Sequence, residues 1–165
     1  MEGDRGPAPV GALTWATFFG AGFFPVAPGT AGTAAAIPLW YAMSYLPVWA
    51  YVLITIAITW TGILAADRTG KYYGVADSKH IVIDEVAGYL VTMLFLPRTL
   101  PWWVPAVGFV LFRICDMWKP WPARIFDREA RWKNGAGVVL DDIFAGVWAL
   151  LGTHAIVYTA GYRLF

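Results

Sequence analysis

The chain has 165 residues, of which 59% are hydrophobic and 14% charged, and its net charge is +1. A soluble domain carries about 25% charged residues, so this composition excludes a disordered chain, a coiled coil and a nucleic-acid binder driven by bulk charge, and it argues against an ordinary soluble enzyme. The single cysteine, Cys115, excludes an internal disulfide and a Cys-rich metal site.

No Asp, Glu, Lys or Arg lies between Arg5 and Asp67, and residues 143–162 are also free of them. A helix needs ~20 apolar residues to cross a hydrocarbon core of ~30 Å. The predicted class is therefore all-α. It is a multi-pass helical membrane protein of about four to five apolar helices rather than a very hydrophobic soluble bundle. Residues 1–10 read as an N-terminal leader without a motif, and residues 11–165 as a single membrane domain.

Segment 11–24 is aromatic and Gly-rich, and Pro25 and Pro28 break it. It is short for a crossing, which leaves a re-entrant or interfacial placement open. It lacks the basic leader and cleavage site of a signal peptide. Segment 32–46 is predicted as an apolar helix, with Pro47 marking a turn. Segment 48–66 is the clearest span, bounded by Pro47 and Asp67. Segments 86–96 and 104–112 reach spanning length only by taking in charged residues: Asp84 and Glu85 in the first, Arg113 and Asp116 in the second. Pro97, Trp102 and Trp103 form an interfacial turn between them. Segment 143–162 is the last span.

Basic residues fall mainly on one side of this arrangement. Arg68, Lys71 and Lys79 precede one pair of crossings. Arg113, Lys119, Arg124, Arg128, Arg131 and Lys133 follow it. Arg98 and Arg163 fall on the other side. The positive-inside rule makes the richer side cytoplasmic, so the turn at Pro47 faces out.

Four segments converge on that cytoplasmic face. The first, P-x-x-P-G-T-x-G-T (25–33), places small residues before a helix predicted to start near Gly32. Exposed backbone N–H groups at a helix start suit a phosphate, and Thr30 and Thr33 add hydroxyls. The second, I-D-E-x-x-G (83–88), opens an apolar helix with two adjacent carboxylates. The helix dipole accounts for one acid at a helix start, but less well for two flanked by Ile and Val. Gly88 lies four residues after Asp84, on the same helical face, and would leave room above the carboxylate.

The third, F-R-x-x-D-x-x-K-P-x-P (112–122), puts Arg113, Asp116 and Lys119 at spacings of three, along one helix face. They form either a structural ion-pair ladder or a carboxylate ligand flanked by phosphate-binding cations. Asp127, Arg128, Glu129 and Arg131 read as a solvated amphipathic surface. The fourth, G-x-G-x-x-x-D-D-x-x-A-G (135–146), places a second acidic pair, Asp141 and Asp142, at a second helix mouth. If these five carboxylates cluster at the membrane boundary, repulsion and desolvation raise their pKa values or demand cations. Hard oxygen donors without Cys or a His cluster suit Mg²⁺ or Mn²⁺ rather than Zn²⁺.

These four motifs, in this order over roughly residues 20–146, closely resemble the phosphatidylglycerophosphatase A family. The resemblance implies an all-helical, Mg²⁺-dependent phosphatase of the bacterial cytoplasmic (inner) membrane, with its site facing the cytoplasm. Its substrate would be a phospholipid in the bilayer. It would convert phosphatidylglycerophosphate to phosphatidylglycerol and inorganic phosphate, the last step of that lipid's synthesis. By motif position, Asp84, Glu85, Asp116, Asp141 and Asp142 are the catalytic candidates, and Thr30, Arg113 and Lys119 the phosphate contacts. Asp84, Asp116, Asp141 and Asp142 are assigned as metal ligands and Glu85 as a base; an Asp nucleophile is the competing mechanism.

Rival readings have specific weaknesses. A CDP-alcohol phosphotransferase needs an Asp-Gly dipeptide, which this chain lacks. A His-dependent lipid phosphatase needs catalytic histidines. Here His80 stands alone, and His154 falls inside the last span, where a packing or hydrogen-bonding role is expected. A cation transporter places its acids near the bilayer midplane, not at helix ends beside Arg and Lys. A phosphatase of another lipid phosphate remains an alternative. No nucleic-acid partner is expected, and the chain's small size and Gly-rich faces leave room for a homodimer.

Overall fold

The computed structural model describes residues 9–97 and 99–162. Most of the expected leader, and the opposite-side cations Arg98 and Arg163, lie outside the described residues. Seven α-helices follow in order: α1 (Val10–Ala16), α2 (Pro28–Met43), α3 (Val48–Tyr73), α4 (Ile83–Thr92), α5 (Trp103–Trp118), α6 (Ala123–Arg128) and α7 (Gly135–Thr159). There are two short 3₁₀ turns, Ala21–Phe23 and Ala130–Trp132, and no strand among the described residues. The all-helical expectation holds. Two of these helices, α3 and α7, are long and apolar enough to cross a membrane.

Several boundaries differ from the sequence reading for identifiable reasons. Helix α2 starts at Pro28 rather than near Gly32, because proline's fixed φ and missing N–H fit the first helical position. Helix α3 runs past Asp67 to Tyr73 and stops at Gly74, whose φ of 75° supplies the left-handed cap. The charged stretch at its end is helical, with Lys71 and Asp67 paired at 2.6 Å one turn apart. Helix α1 has 7 residues, about 10 Å of rise, so it does not cross a bilayer by itself. Helix α4 has 10 residues, also short of a full crossing.

The largest shift is in α7. Its helix begins at Gly135, so Asp141 and Asp142 lie two turns inside it instead of at its mouth. Asn134 caps it, its side chain accepting from the Gly137 N–H at 3.1 Å. The two glycines fit because the helix start presses on backbone. A side chain at Gly135 would strike Ile63 O and Asp67 N, and one at Gly137 would strike Trp132 O.

Helix α7 is central, packing on α3, α4, α5 and α6, while α2 lies against α4 and α1 against α3. The core includes Ile83, Val86, Leu90, Phe112, Val139, Ala145 and Ala149, all at or near zero exposure. Where α4 crosses α7, Gly88 and Gly146 meet. A methyl on Gly146 would collide with the Gly88 carbonyl oxygen, and one on Gly88 would lie 2.5 Å from the Phe112 ring and 2.7 Å from Asp142 O. The missing side chain at Gly88 therefore serves helix contact, not space above Asp84. Tyr51 ties α3 to α4 by donating to Leu90 O at 2.7 Å.

The helices also satisfy their own polar groups. Thr55, Thr59, Thr92, Thr153 and Thr159 each donate to the carbonyl four residues back, at 2.7–3.0 Å. One face of α3 carries Trp49, Leu53, Ile56, Trp60 and Leu64, all exposed. They recur at spacings of three and four, so they form one continuous apolar stripe.

Candidate active site

The starts of α2, α4 and α7 and the ends of α3 and α5 come to the same end of the bundle, because successive long helices alternate in direction. A cavity of about 300 Å³ opens there. It is lined by Gly29 of α2, Asp84 and Glu85 of α4, Arg113, Asp116 and Lys119 at the end of α5, and Asp141 and Asp142 of α7. Thus seven of the eight residues singled out from sequence share one cavity. The eighth, Thr30, sits half-buried in the first turn of α2, outside the residues that line it. Thr33 is also taken up locally, donating to Gly29 O at 2.9 Å.

Within the cavity the charges sort into two groups. Arg113 Nη1 lies 2.7 Å from Asp116 Oδ2 and 3.7 Å from Glu85 Oε1. Lys119 Nζ lies 2.5 Å from Asp141 Oδ2, 3.3 Å from Asp142 Oδ1 and 3.4 Å from Asp116 Oδ1. Asp141 also accepts the Asp142 N–H at 2.9 Å. Burial alone would lower the Lys119 ammonium, but the carboxylates of Asp142, Asp141 and Asp116 outweigh it and hold the group above the ordinary lysine range. Lys119 reaches this position from a left-handed backbone, φ 48°, immediately before Pro120.

The second group is Asp84, Glu85 and Asp142, each offering an oxygen within 4.8 Å of the others. Asp84 Oδ1 and Glu85 Oε2 are buried with no hydrogen-bond partner. Orphaned buried carboxylate oxygens are costly, and hard oxygen donors so arranged fit a divalent cation such as Mg²⁺. This grouping differs from the sequence assignment. Glu85 joins the oxygen cluster, while Asp116 and Asp141 face the two cations. Glu85 also fixes the role of Gly29, since a methyl there would collide with Glu85 Oε1. The α2 start is thus pressed against the Glu85 carboxylate, a favourable partner for the positive end of a helix.

Two lining residues were missed from sequence. Asp77 and Lys79, on the loop between α3 and α4, also face the cavity. Lys79 entered the sequence reading only as a loop charge. The available signal was its place in a polar loop directly ahead of the I-D-E motif. Neither histidine is catalytic in placement. His80 Nδ1 lies 2.9 Å from Gly22 O, and His154 Nδ1 lies 2.9 Å from Leu150 O within its own helix.

Clustered carboxylates, an Arg–Lys pair and a phosphate-sized cavity, set at one end of an apolar helical bundle, define a phosphate-handling hydrolase of membrane-associated type. A family model described as Phosphatidylglycerophosphatase A matches residues 14–157, and the chain belongs to that family. It is 47% identical over 129 residues to the phosphatidylglycerophosphatase A of Escherichia coli (strain K12), covering 78% of this chain and 73% of the relative. It is 35% identical over 142 residues to the phosphatidylglycerophosphatase A of Haemophilus influenzae (strain ATCC 51907 / DSM 11121 / KW20 / Rd), covering 85% of each. A third relative, from Bacteroides thetaiotaomicron, is 36% identical over 141 residues, covering 82% of this chain and 86% of the relative; its name, a provisional one, is phosphatidylinositol-3-phosphatase. No solved structure matches the chain.

Proposed function

We propose that this chain hydrolyses phosphatidylglycerophosphate to phosphatidylglycerol and inorganic phosphate, the closing step of phosphatidylglycerol synthesis. It does so as a multi-pass protein of the bacterial inner membrane, with its site on the cytoplasmic side. The observation that carries this reading is the convergence of Asp84, Glu85 and Asp142 with Arg113 and Lys119 on one cavity in a member of this family. The exposed apolar stripe of α3 and the two long apolar helices support the membrane setting.

Asp84 and Asp142, with Glu85 beside them, are the residues that would hold Mg²⁺. The metal supplies neutralisation of phosphate charge. Arg113 presents a planar fork to two phosphate oxygens, and Lys119 a point charge to a third. Both exchange part of their carboxylate contacts for the substrate as it enters. A water oxygen then bonds to phosphorus in line as the ester P–O bond breaks. Glu85, beside the oxygens that would hold the metal, accepts the water's proton; the glycerol oxygen leaves as an alkoxide and takes a proton from solvent, to which Glu85 then releases its own.

The direct test is phosphate release by the detergent-purified protein from phosphatidylglycerophosphate, with Mg²⁺ and with excess chelator. Metal-dependent release is expected, with Asp84→Asn and Asp142→Asn inactive yet folded. Comparable turnover in chelator would refute the metal assignment. The Bacteroides relative motivates a second arm with phosphatidylinositol 3-phosphate. Faster release from that lipid than from phosphatidylglycerophosphate would move the headgroup assignment to another lipid phosphate.

A further inference from the structure

Among the described residues three cations line the cavity, and two of them are already engaged. Arg113 lies against Asp116 and Glu85, and Lys119 against three carboxylates. Lys79 differs. It lines the same cavity from the exposed rim, and no ion pair or hydrogen bond of its ammonium is found among the described residues. Asp77 shares that rim but lies beyond ion-pair distance of Lys79.

The backbone that carries Lys79 is fixed on both sides. Ser78 is buried, and its carbonyl accepts from the Ile81 N–H at 2.8 Å. His80 contacts Gly22 O at 2.9 Å, with its ring near Phe23 and Tyr73 at centroid distances of 5.2 and 5.7 Å. Val82 N–H donates to Ala16 O at 2.9 Å. A held loop thus delivers one unpaired cation to the mouth of a site whose two inner cations are already engaged by carboxylates.

The substrate proposed above carries two phosphates. The terminal monoester is cleaved. The other is a phosphodiester that joins the headgroup glycerol to the lipid, and it bears a separate negative charge. We propose that Lys79 selects the headgroup: its ammonium binds the phosphodiester while the monoester sits between Arg113 and Lys119. This rests on the phosphatidylglycerophosphate reading and extends it. Lipid phosphates whose monoester is attached directly to diacylglycerol offer Lys79 nothing to bind.

The test uses the full chain in detergent with Mg²⁺, comparing wild type with Lys79→Ala, Lys79→Arg and Lys71→Ala. Lys71 pairs with Asp67 and lines a different cavity, so its variant controls for general loss of positive charge. Lys79→Ala should raise KM for phosphatidylglycerophosphate about tenfold with kcat within about twofold, because a charge-assisted contact is lost without touching the reacting phosphate. Lys79→Arg should restore KM, and Lys71→Ala should match wild type. Deacylated phosphatidylglycerophosphate should inhibit wild type about tenfold more strongly than glycerol 3-phosphate, and Lys79→Ala should erase that preference. An unchanged KM in Lys79→Ala, an equal fall in kcat, or a preference that survives the substitution overturns the role. If wild type fails to hydrolyse phosphatidylglycerophosphate at all, the substrate reading falls, and this role with it.

Discussion

Lys119 adopts a left-handed backbone conformation that costs a non-glycine residue about 1–2 kcal/mol. Pro120 stops α5 there, and the turn carries the ammonium over Asp116, Asp141 and Asp142. Removing the charge leaves three mostly buried carboxylates without it. Lys119→Met should therefore destabilise the metal-free protein by about 3 kcal/mol, lowering its melting temperature on the order of 5–10 °C. Added Mg²⁺ should recover part of that loss, and a melt identical to wild type in chelator would remove Lys119 from the charge balance. Gly29 makes the opposite prediction. Alanine suits a helix better than glycine by up to ~1 kcal/mol, but its methyl meets the flexible side-chain ends of Glu85 and Arg113. Gly29→Ala should keep its melting temperature while kcat/KM drops about tenfold or more, a loss of at least ~1.4 kcal/mol in transition-state stabilisation. Full activity would show that the Glu85 position is unimportant. The carboxylates and the Arg113–Asp116–Lys119 face were legible in sequence because apolar neighbours made each charge conspicuous. Asp77 and Lys79 were not, because in a polar loop a charge looks solvated whether or not it faces a cavity.

At the scale of elements, glycine decides how closely the helices that carry the acids approach. Gly88 and Gly146 each follow an acidic residue by four positions, and for Gly88 the sequence alone suggested open space over the carboxylate. The structure fills that space with the partner helix, since the α4 and α7 backbones touch at these two glycines. A methyl at Gly146 meets backbone, which cannot rotate away, so Gly146→Ala should separate α4 from α7 at a cost of about 1–3 kcal/mol. The expected fall in melting temperature is roughly 3–8 °C, together with lost activity because Asp142 lies one turn away. Gly152→Ala is the matched control, since its methyl would face only a Leu111 side-chain tip at 3.2 Å. Equal melts for the two variants would refute the close-contact account. The start of α7 was misread for a related reason. Gly-Ala-Gly reads as a loop by propensity, and neither the Asn134 cap nor the backbone against which the glycines pack is visible in one segment of sequence.

Across the whole molecule, alternating helix directions explain why residues from position 29 to 142 meet at one end. The same alternation places the turn between α2 and α3 at the other end, where a mostly apolar cavity is lined by Ser44, Leu46, Tyr51 and Phe95. The charge-free stretches and the clustering of Lys and Arg made this polarity readable from sequence. The sequence marked the α4 segment as short, but not where the helix ends, because its apolar run continues past Thr92 into residues that form turns. If the exposed stripe of α3 faces lipid, the two ends lie on opposite sides of the bilayer, and the Lys/Arg bias predicts a site on the inner side. The single native cysteine makes this testable by site-specific labelling. In a Cys115→Ser background, Leu46→Cys marks the α2–α3 turn, and Val75→Cys and Glu129→Cys mark loops at the site end; all three positions are exposed. A membrane-impermeant thiol reagent should label Leu46→Cys in intact bacterial cells and the other two only after permeabilisation. Labelling of Val75→Cys and Glu129→Cys in intact cells, with Leu46→Cys protected, would invert the topology. Lys79 and the clustered carboxylates would then face away from the cytoplasm, and substrate would have to reach them from the outer leaflet.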